Sequence, residues 1–204
     1  DMPQFFINKE NINSEGITIT DKSDIAHISR VLRLSKGDIL ILVGKDGFVY
    51  EAEINNIQPD SVETKIIDKY LSNKKLSINI TLVQSILKSQ KQDFIIQKSS
   101  ELGVRTIIPT ITQNTVVKFS SDRDKASKIQ RWQRISYEAS KQCKKIEITE
   151  IKEIITFNEI FNLNSYDIKI ACVEREASFS IKSFLSQTKN LPHQNILLVI
   201  GPEG

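Results

Sequence analysis

The sequence predicts two α/β parts, a small β-barrel domain followed by a layered, mostly parallel sheet domain. Three observations carry that prediction. Several short strand patterns, a single helix and tight turns fill the first seventy or so positions; strand and helix patterns alternate after a polar break at Ser72 to Lys75; and the apolar run Leu197 to Ile200 halts at Gly201-Pro202. The break sets the domains at 2–72 and 76–204.

In the first part, Phe5 to Ile7 and Ile17 to Ile19 read as strands around a polar turn from Asn11 to Gly16. Asp21 to Leu32 reads as a helix capped by Thr20 or Asp21, with Ile25, Ile28 and Leu32 on its inward face. After a turn at Lys36 to Asp38, Ile39 to Val43 and Phe48 to Ile54 flank Gly44-Lys45-Asp46-Gly47, a strong hairpin signal. Phe48, Tyr50, Ala52 and Ile54 alternate as a half-buried strand does, and Val62, Thr64 and Ile66 repeat the pattern.

In the second part, Ser77 to Val83 reads as a strand, and Lys91 to Leu102 as a helix closed by Gly103. Thr106 to Pro109 is the next strand. A long helix spans about Lys125 to Cys143, with Ile129, Trp132, Ile135, Ala139 and Cys143 inward. Phe157 to Leu163 and Ile181 to Gln187 read as helices, Ile168 to Val173 and Asn195 to Ile200 as strands. The last strand, buried and parallel, delivers a loop at its carboxyl end, where open α/β sheets bind ligands. With no helix behind it, that loop is expected to continue into chain beyond Gly204. Asp1 before Met2 reads as a tag scar.

The 204 residues are 39% hydrophobic and 26% charged, as in ordinary globular proteins. No apolar run approaches the ~18 residues of a membrane span, so the cytoplasm is the expected location. Cys143 and Cys172 lack metal or disulfide spacing and read as buried free thiols, and His27 and His193 are too scattered for a metal cluster. The net charge of +3 is unevenly spread: Lys118 to Lys145 holds nine basic and three acidic residues, a local +6 that suits phosphate and equally suits a solvated helix face.

Walker, Gly-x-Gly-x-x-Gly, His-Glu-x-x-His and Gly-x-Ser-x-Gly motifs are absent, which removes the mechanisms that need them. A cofactor held by loop amides remains. Gly201-Pro202-Glu203-Gly204 is such a loop, its glycines permitting close backbone approach, and it is equally a plain strand-to-helix turn. Lys88 and Lys91, between a parallel strand and its helix, suit phosphate contact or solubility. Lys98 and Glu101 form either a helical i, i+3 pair or part of a site. Arg30 and Arg33 share a helix face and suit paired phosphates, or decorate the surface beside a partly buried His27. Glu138 and Gln142 are i, i+4 neighbours that brace an adjacent element or meet a base.

The order of these short motifs is more specific than any one of them. His27-Ile28 with Val31-Leu32-Arg33, Gln97-Lys98 with Glu101-Leu102-Gly103-Val104 and Pro109, Arg131-Trp132, Glu138-Ala139 with Gln142, and Ile200 to Gly204 together resemble one family. It is the family of bacterial methyltransferases that modify N3 of a uridine in 16S ribosomal RNA, members of the knotted SPOUT class. The resemblance covers essentially the whole chain. It implies a PUA-like RNA-binding β-barrel, then a SPOUT α/β-knot domain that binds S-adenosylmethionine and works as a homodimer, with the C-terminal knot segment absent from this chain. It also implies cofactor contacts from Val173, Ile200, Gly201, Pro202, Glu203 and Gly204, with Glu203 the candidate catalytic base. RNA contacts are expected from Arg30, Arg33, Lys88, Lys91, Lys98, Lys128, Arg131, Arg134 and Lys145, and no metal is expected. Lys145 stands where the family usually has arginine, and Thr149 lies near a usual proline; lysine keeps the charge and loses the planar fork. A related knotted enzyme acting on transfer RNA or another ribosomal site, and a non-catalytic RNA-binding or ribosome-assembly protein, are the rival expectations.

Overall fold

The computed structural model of the chain describes residues 2–14, 16–71, 78–172, 180–188 and 194–201. The chain divides into two compact units, Asp1–Lys75 and Leu76–Gly204.

The first unit is a five-stranded sheet in the order β1 (Gln4–Ile7), β3 (Ile39–Gly44), β4 (Phe48–Ile57), β5 (Val62–Leu71), β2 (Ile17–Ile19). Neighbours are antiparallel except β1 and β3, which run parallel with Gln4 opposite Ile41. β1 and β2 therefore do not pair around the polar turn: a 3-10 turn at Lys9–Asn11 and a lone Ile12–Ile17 bridge carry the chain to the opposite edge. Both edge strands still send apolar side chains (Phe5, Ile7, Ile17, Ile19) into one core with Leu40, Leu42, Tyr50 and Ile54. Gly16 allows the crossing, since a Cβ there would fall 1.8 Å from the Thr64 carbonyl oxygen.

Helix α1 (Lys22–Ala26) starts on Asp21, whose carboxylate accepts from the Ser23 and Asp24 N–H groups. It then widens into a π turn, His27–Val31, in which the Leu32 N–H donates to the His27 carbonyl at 2.9 Å. Arg33 follows with a left-handed φ of 53°. The wide turn corrects two expectations. Ile25 and Ile28 are buried as the spacing predicts, but Leu32 rotates outward and is 37% exposed; and Arg33, beyond the helix in left-handed backbone, does not share a helix face with Arg30. His27 is partly covered, its ring edge-on to Phe5 at 6.0 Å.

The β3–β4 hairpin turns at Gly44 to Gly47, with Gly47 at φ 87°. Asp46 ties it down by accepting from the Phe48 N–H at 3.1 Å and the Tyr50 hydroxyl at 2.6 Å, and Lys69 lies over the Phe48 ring. Burial works to raise the Asp46 pKa, but the Tyr50 hydrogen bond, the Phe48 N–H and nearby Lys69 outweigh it and hold the carboxyl below its usual value. Burial first, and Asp46 second, push Tyr50 up to about 12.

The second unit is an all-parallel sheet in the order β10 (Ile168–Cys172), β11 (Gln194–Ile200), β6 (Ile78–Ser85), β7 (Thr106–Ile111), β8 (Glu150–Ile151), with β9 (Ile155–Thr156) also on β7. β11 is the expected buried strand, hydrogen-bonded to β10 and β6 on its two sides. Helices α2 (Ser89–Leu102) and α3 (Asp122–Gln142) cover one face over Leu82, Ile86, Ile96, Ile107 and Trp132. On the other, Val83, Ile108 and Leu197 pack with Ile160 from the 3-10 turn Phe157–Asn162. Helix α4 (Ile181–Thr188) precedes β11. α2 ends on Gly103 at φ 90°, and the Val104 N–H reaches back to the Ser99 carbonyl at 3.0 Å.

Cys143 and Cys172 are exposed rather than buried. Cys143 caps the end of α3, past its inward stripe, and Cys172 closes β10, which among the described residues has a neighbour on one side only. The break at Ser72 to Lys75 lies outside the described residues.

Candidate functional site

Strand order reverses at β6: the chain moves from β6 to β7 on one side and returns through β10 to β11 on the other. Such a reversal opens a crevice beyond the carboxyl ends of the two strands. A cleft of ≈1180 Å³ lies there, lined by Gln84 and Ile86 at the end of β6, by Lys88 to Lys91 at the start of α2, by Asn114, Val116 and Val117, and by Ile200 and Gly201 at the end of β11.

Each wall has a local cause. α2 begins at Ser89, two residues before the expected start, so Lys91 is in the first helical turn and Lys88 is the N-cap. Lys88 supplies no capping side chain and the first turn holds no acid; the Ser89 and Gln90 N–H groups have no acceptor within the helix, and Lys88 and Lys91 beside them are exposed. The preceding loop is held instead by Gln92, 1% exposed, whose Oε1 accepts from the Leu87 N–H at 3.0 Å. The Gln92 Nε2 is buried and has no partner among the described residues.

Gln84, 2% exposed and in register with Ile200, donates its Nε2 to the Ser85 carbonyl at 2.9 Å. Its amide is therefore fixed in orientation on the cleft floor. The wall carrying Asn114 to Val117 is pinned by hydroxyls: the Thr112 N–H donates to Thr115 Oγ1 at 2.8 Å, and Ser85 Oγ sits 3.2 Å from Thr112 Oγ1. At Gly201 a Cβ would meet nothing within 4 Å among the described residues, which leaves the backbone open to the cleft.

The structure thus gathers Ile200, Gly201, Lys88 and Lys91. Val173, Pro202, Glu203 and Gly204 lie outside the described residues. Lys98 is on the outer side of α2, 2.7 Å from Glu101 and over the Phe94 ring, so the helical i, i+3 pair is formed. Arg131 and Arg134 are exposed on α3 and Lys128 is half-covered. Arg131 bonds Asp93 of α2 at 2.5 Å, and this hydrogen bond, with the charge behind it, raises the guanidinium pKa. Trp132 beside it is buried, as its spacing predicts. Lys145 follows α3, its N–H bonded to the Ser140 carbonyl after Lys144 turns left-handed at φ 51°. Arg30 and Arg33 belong to the first unit. Gln84 and Asn114 were missed as candidates; the visible signal was the polar Gln84-Ser85 pair closing an apolar strand. Among the described residues no group of His, Cys, Asp and Glu could hold a metal.

The chain thus joins a five-stranded sheet unit to a parallel-sheet unit with a cleft at its switch point, and known proteins share both parts. Residues 74–204 match the RNA methyltransferase domain and residues 19–67 the RNA methyltransferase PUA domain. Relatives named ribosomal RNA small subunit methyltransferase E include one from Buchnera aphidicola, 32% identical over 87% of this chain and 68% of its own length. One from Bacillus subtilis is 28% identical over 100% of this chain and 81% of its length. The chain belongs to this family of small-subunit ribosomal RNA methyltransferases. Among solved structures, the Neisseria gonorrhoeae member bound to S-adenosyl methionine superposes with a TM-score of 0.77 at 25% identity, over 98% of this chain and 79% of that one.

Proposed function

We propose that this chain transfers a methyl group from S-adenosylmethionine to N3 of a specific uridine in 16S ribosomal RNA of the small subunit. The observation that carries the reading is the meeting of Ile200 and Gly201 with Lys88 and Lys91 in one cleft at the β6–β11 switch point. The residues there fit an amphipathic cofactor. Apolar walls from Ile86, Val116 and Val117 suit a flat heterocycle, Gly201 leaves room for close backbone approach, and the buried Gln92 amide keeps a spare donor behind the wall.

When bound, S-adenosylmethionine supplies an electrophilic methyl on a sulfonium. The chain's task is then to position and to exclude water. Lys88 and Lys91, with the free N–H groups of the α2 start, hold phosphate near the cleft mouth. The pinned Gln84 amide orients a polar edge on the floor. Uracil N3 carries a proton that must leave, and Glu203 in the Gly-Pro-Glu-Gly loop is the candidate base. The target base leaves its stack to enter, because a paired base is out of reach. Lys98, Lys128, Arg131, Arg134 and Lys145 extend the phosphate-binding surface, and Arg30 and Arg33 add one on the PUA-like unit. Val173, Pro202, Glu203 and Gly204 complete the cofactor loops. The active form is a cytoplasmic homodimer whose sheet domain is of the knotted SPOUT type; among the described residues, no helix is long and apolar enough to cross a membrane.

Mass mapping of methylated nucleotides in 16S RNA, after incubating small subunits with the protein and S-adenosylmethionine, tests the reading. Methyl-3-uridine at one position is expected. Methylation at another base refutes the target, and none at all, with no cofactor binding by calorimetry, refutes the enzyme.

A further inference from the structure

The first unit presents an apolar tip that its own core does not use. Val31 is 69% exposed and Leu32 37% exposed, side by side at the end of the π turn. A regular helix would have turned Leu32 inward with Ile25 and Ile28, so the wide turn is what projects it. The base of the tip is firmly held. Ile25 and Ile28 are buried, the His27 ring packs on Phe5, and the Ser29 hydroxyl donates to the Ile25 carbonyl at 2.7 Å. The Leu34 N–H closes the turn on the Ile28 carbonyl, and Arg33 sits in left-handed backbone that a non-glycine residue rarely adopts.

Charge selects the occupant. From Arg30 to Gly37 the sequence Arg-Val-Leu-Arg-Leu-Ser-Lys-Gly has three cations and no carboxylate, and Asp38 beyond it is bonded back to Ser35. An apolar pair bracketed by exposed arginines is complementary to a polyanion that also offers apolar faces. Nucleic acid with unstacked bases has both, because phosphates flank each exposed base. Short apolar side chains set between cations wedge into opened base steps.

We propose that Val31 and Leu32 form a wedge that packs against unstacked bases of the RNA substrate while Arg30 and Arg33 hold the flanking phosphates. The inference rests on the RNA-modifying reading above and adds to it the mode of engagement of the PUA-like unit.

The test compares Val31→Ser/Leu32→Ser with Arg30→Ala/Arg33→Ala, in binding to small ribosomal subunits and to protein-free 16S RNA across a salt series. The serine variant should bind both probes about tenfold more weakly with an unchanged salt slope, as loss of base packing requires. The alanine variant should lower the slope by about 1.5, as loss of two phosphate contacts requires. Thermal melting of both should match the parent, and Val31→Thr, nearly isosteric, should show a smaller loss of the same kind. Parent-like binding by the serine variant overturns the wedge. A loss seen on subunits and not on free RNA makes a ribosomal protein the occupant, and a shift in sedimentation makes it a second copy; either overturns the proposal. A parent protein that neither binds nor methylates subunits overturns the underlying function instead.

Discussion

Gly201→Ala separates what the fold needs at this position from what a ligand needs. In the structure a Cβ at Gly201 meets no atom within 4 Å among the described residues, so none of them opposes it. Removing a glycine from an unstrained position also restricts the unfolded chain, worth about 0.4–1 kcal/mol of added stability. The added methyl projects from a residue that lines the cleft. If the cofactor lies against that backbone, a methyl in the contact acts as overpacking, which costs about 1–3 kcal/mol, or about 5- to 150-fold in affinity. Thermal melting should therefore stay level or rise, while calorimetric titration with S-adenosylmethionine shows the loss. Gly16→Ala is the opposite control, since its Cβ would overlap the Thr64 carbonyl oxygen and the first unit should lose stability. Cofactor affinity within twofold of the parent in Gly201→Ala would refute close approach at this glycine, and a lowered melting temperature would refute the reading of its backbone as unstrained.

Three further outcomes follow from the same geometry. Tyr50 has a folded pKa near 12 against an ordinary 10, so the stability it carries is complete below pH 10 and is lost as pH rises through 12; Tyr50→Phe should flatten that window in melting curves of the first unit. Asp46 has a lowered folded pKa, so its contribution is present above its ordinary 3.8 and falls away in acid below that; Asp46→Asn should reduce the acid sensitivity. Arg131→Ala should change stability far less than Trp132→Ala, because the Arg131 side chain is 65% exposed, whereas Trp132→Ala should cost about 3–5 kcal/mol by leaving a cavity under α3; chemical denaturation of the second unit measures both.

The parts of the fold that local sequence determines were the legible ones. The run Leu197 to Ile200 has no polar face and so had to be a buried strand, Gly103 had to end α2, and Gly44 to Gly47 had to turn a hairpin. Pairing between distant segments was not legible: the sequence around β1 is the same whether it meets β2 or, as it does, β3. Nor was the π turn, because an apolar stripe at Ile25 and Ile28 does not say whether the next turn closes at four residues or five. β8 and β9, two residues each, are too short to show a period. Exposure of Cys172 depends on its strand being at the sheet edge, a property of topology alone. In the site, Gly201, Lys88 and Lys91 were found because carboxyl ends of parallel strands are where ligands gather. Gln84 and Asn114 became candidates only when folding brought three segments to one cleft.

The position of β11 also bears on how the protein is made. Its side-chain contact with β6, Asn79 to Asn195, spans 116 residues, and every register pair between the two strands spans as many. A ribosome releases β6 and β7 long before β11, and β10 shortly before it, so the nascent sheet waits with a gap at its centre and two unsatisfied strand edges facing it. The first unit, whose strand β5 ends at Leu71, can fold meanwhile. The centre of the second unit's sheet cannot close until β11 emerges and slides between β10 and β6, a slow, non-local step that exposes the chain to misassembly. Slowing synthesis would leave this vulnerability in place, whereas a chaperone that shields the β6 and β10 edges would relieve it.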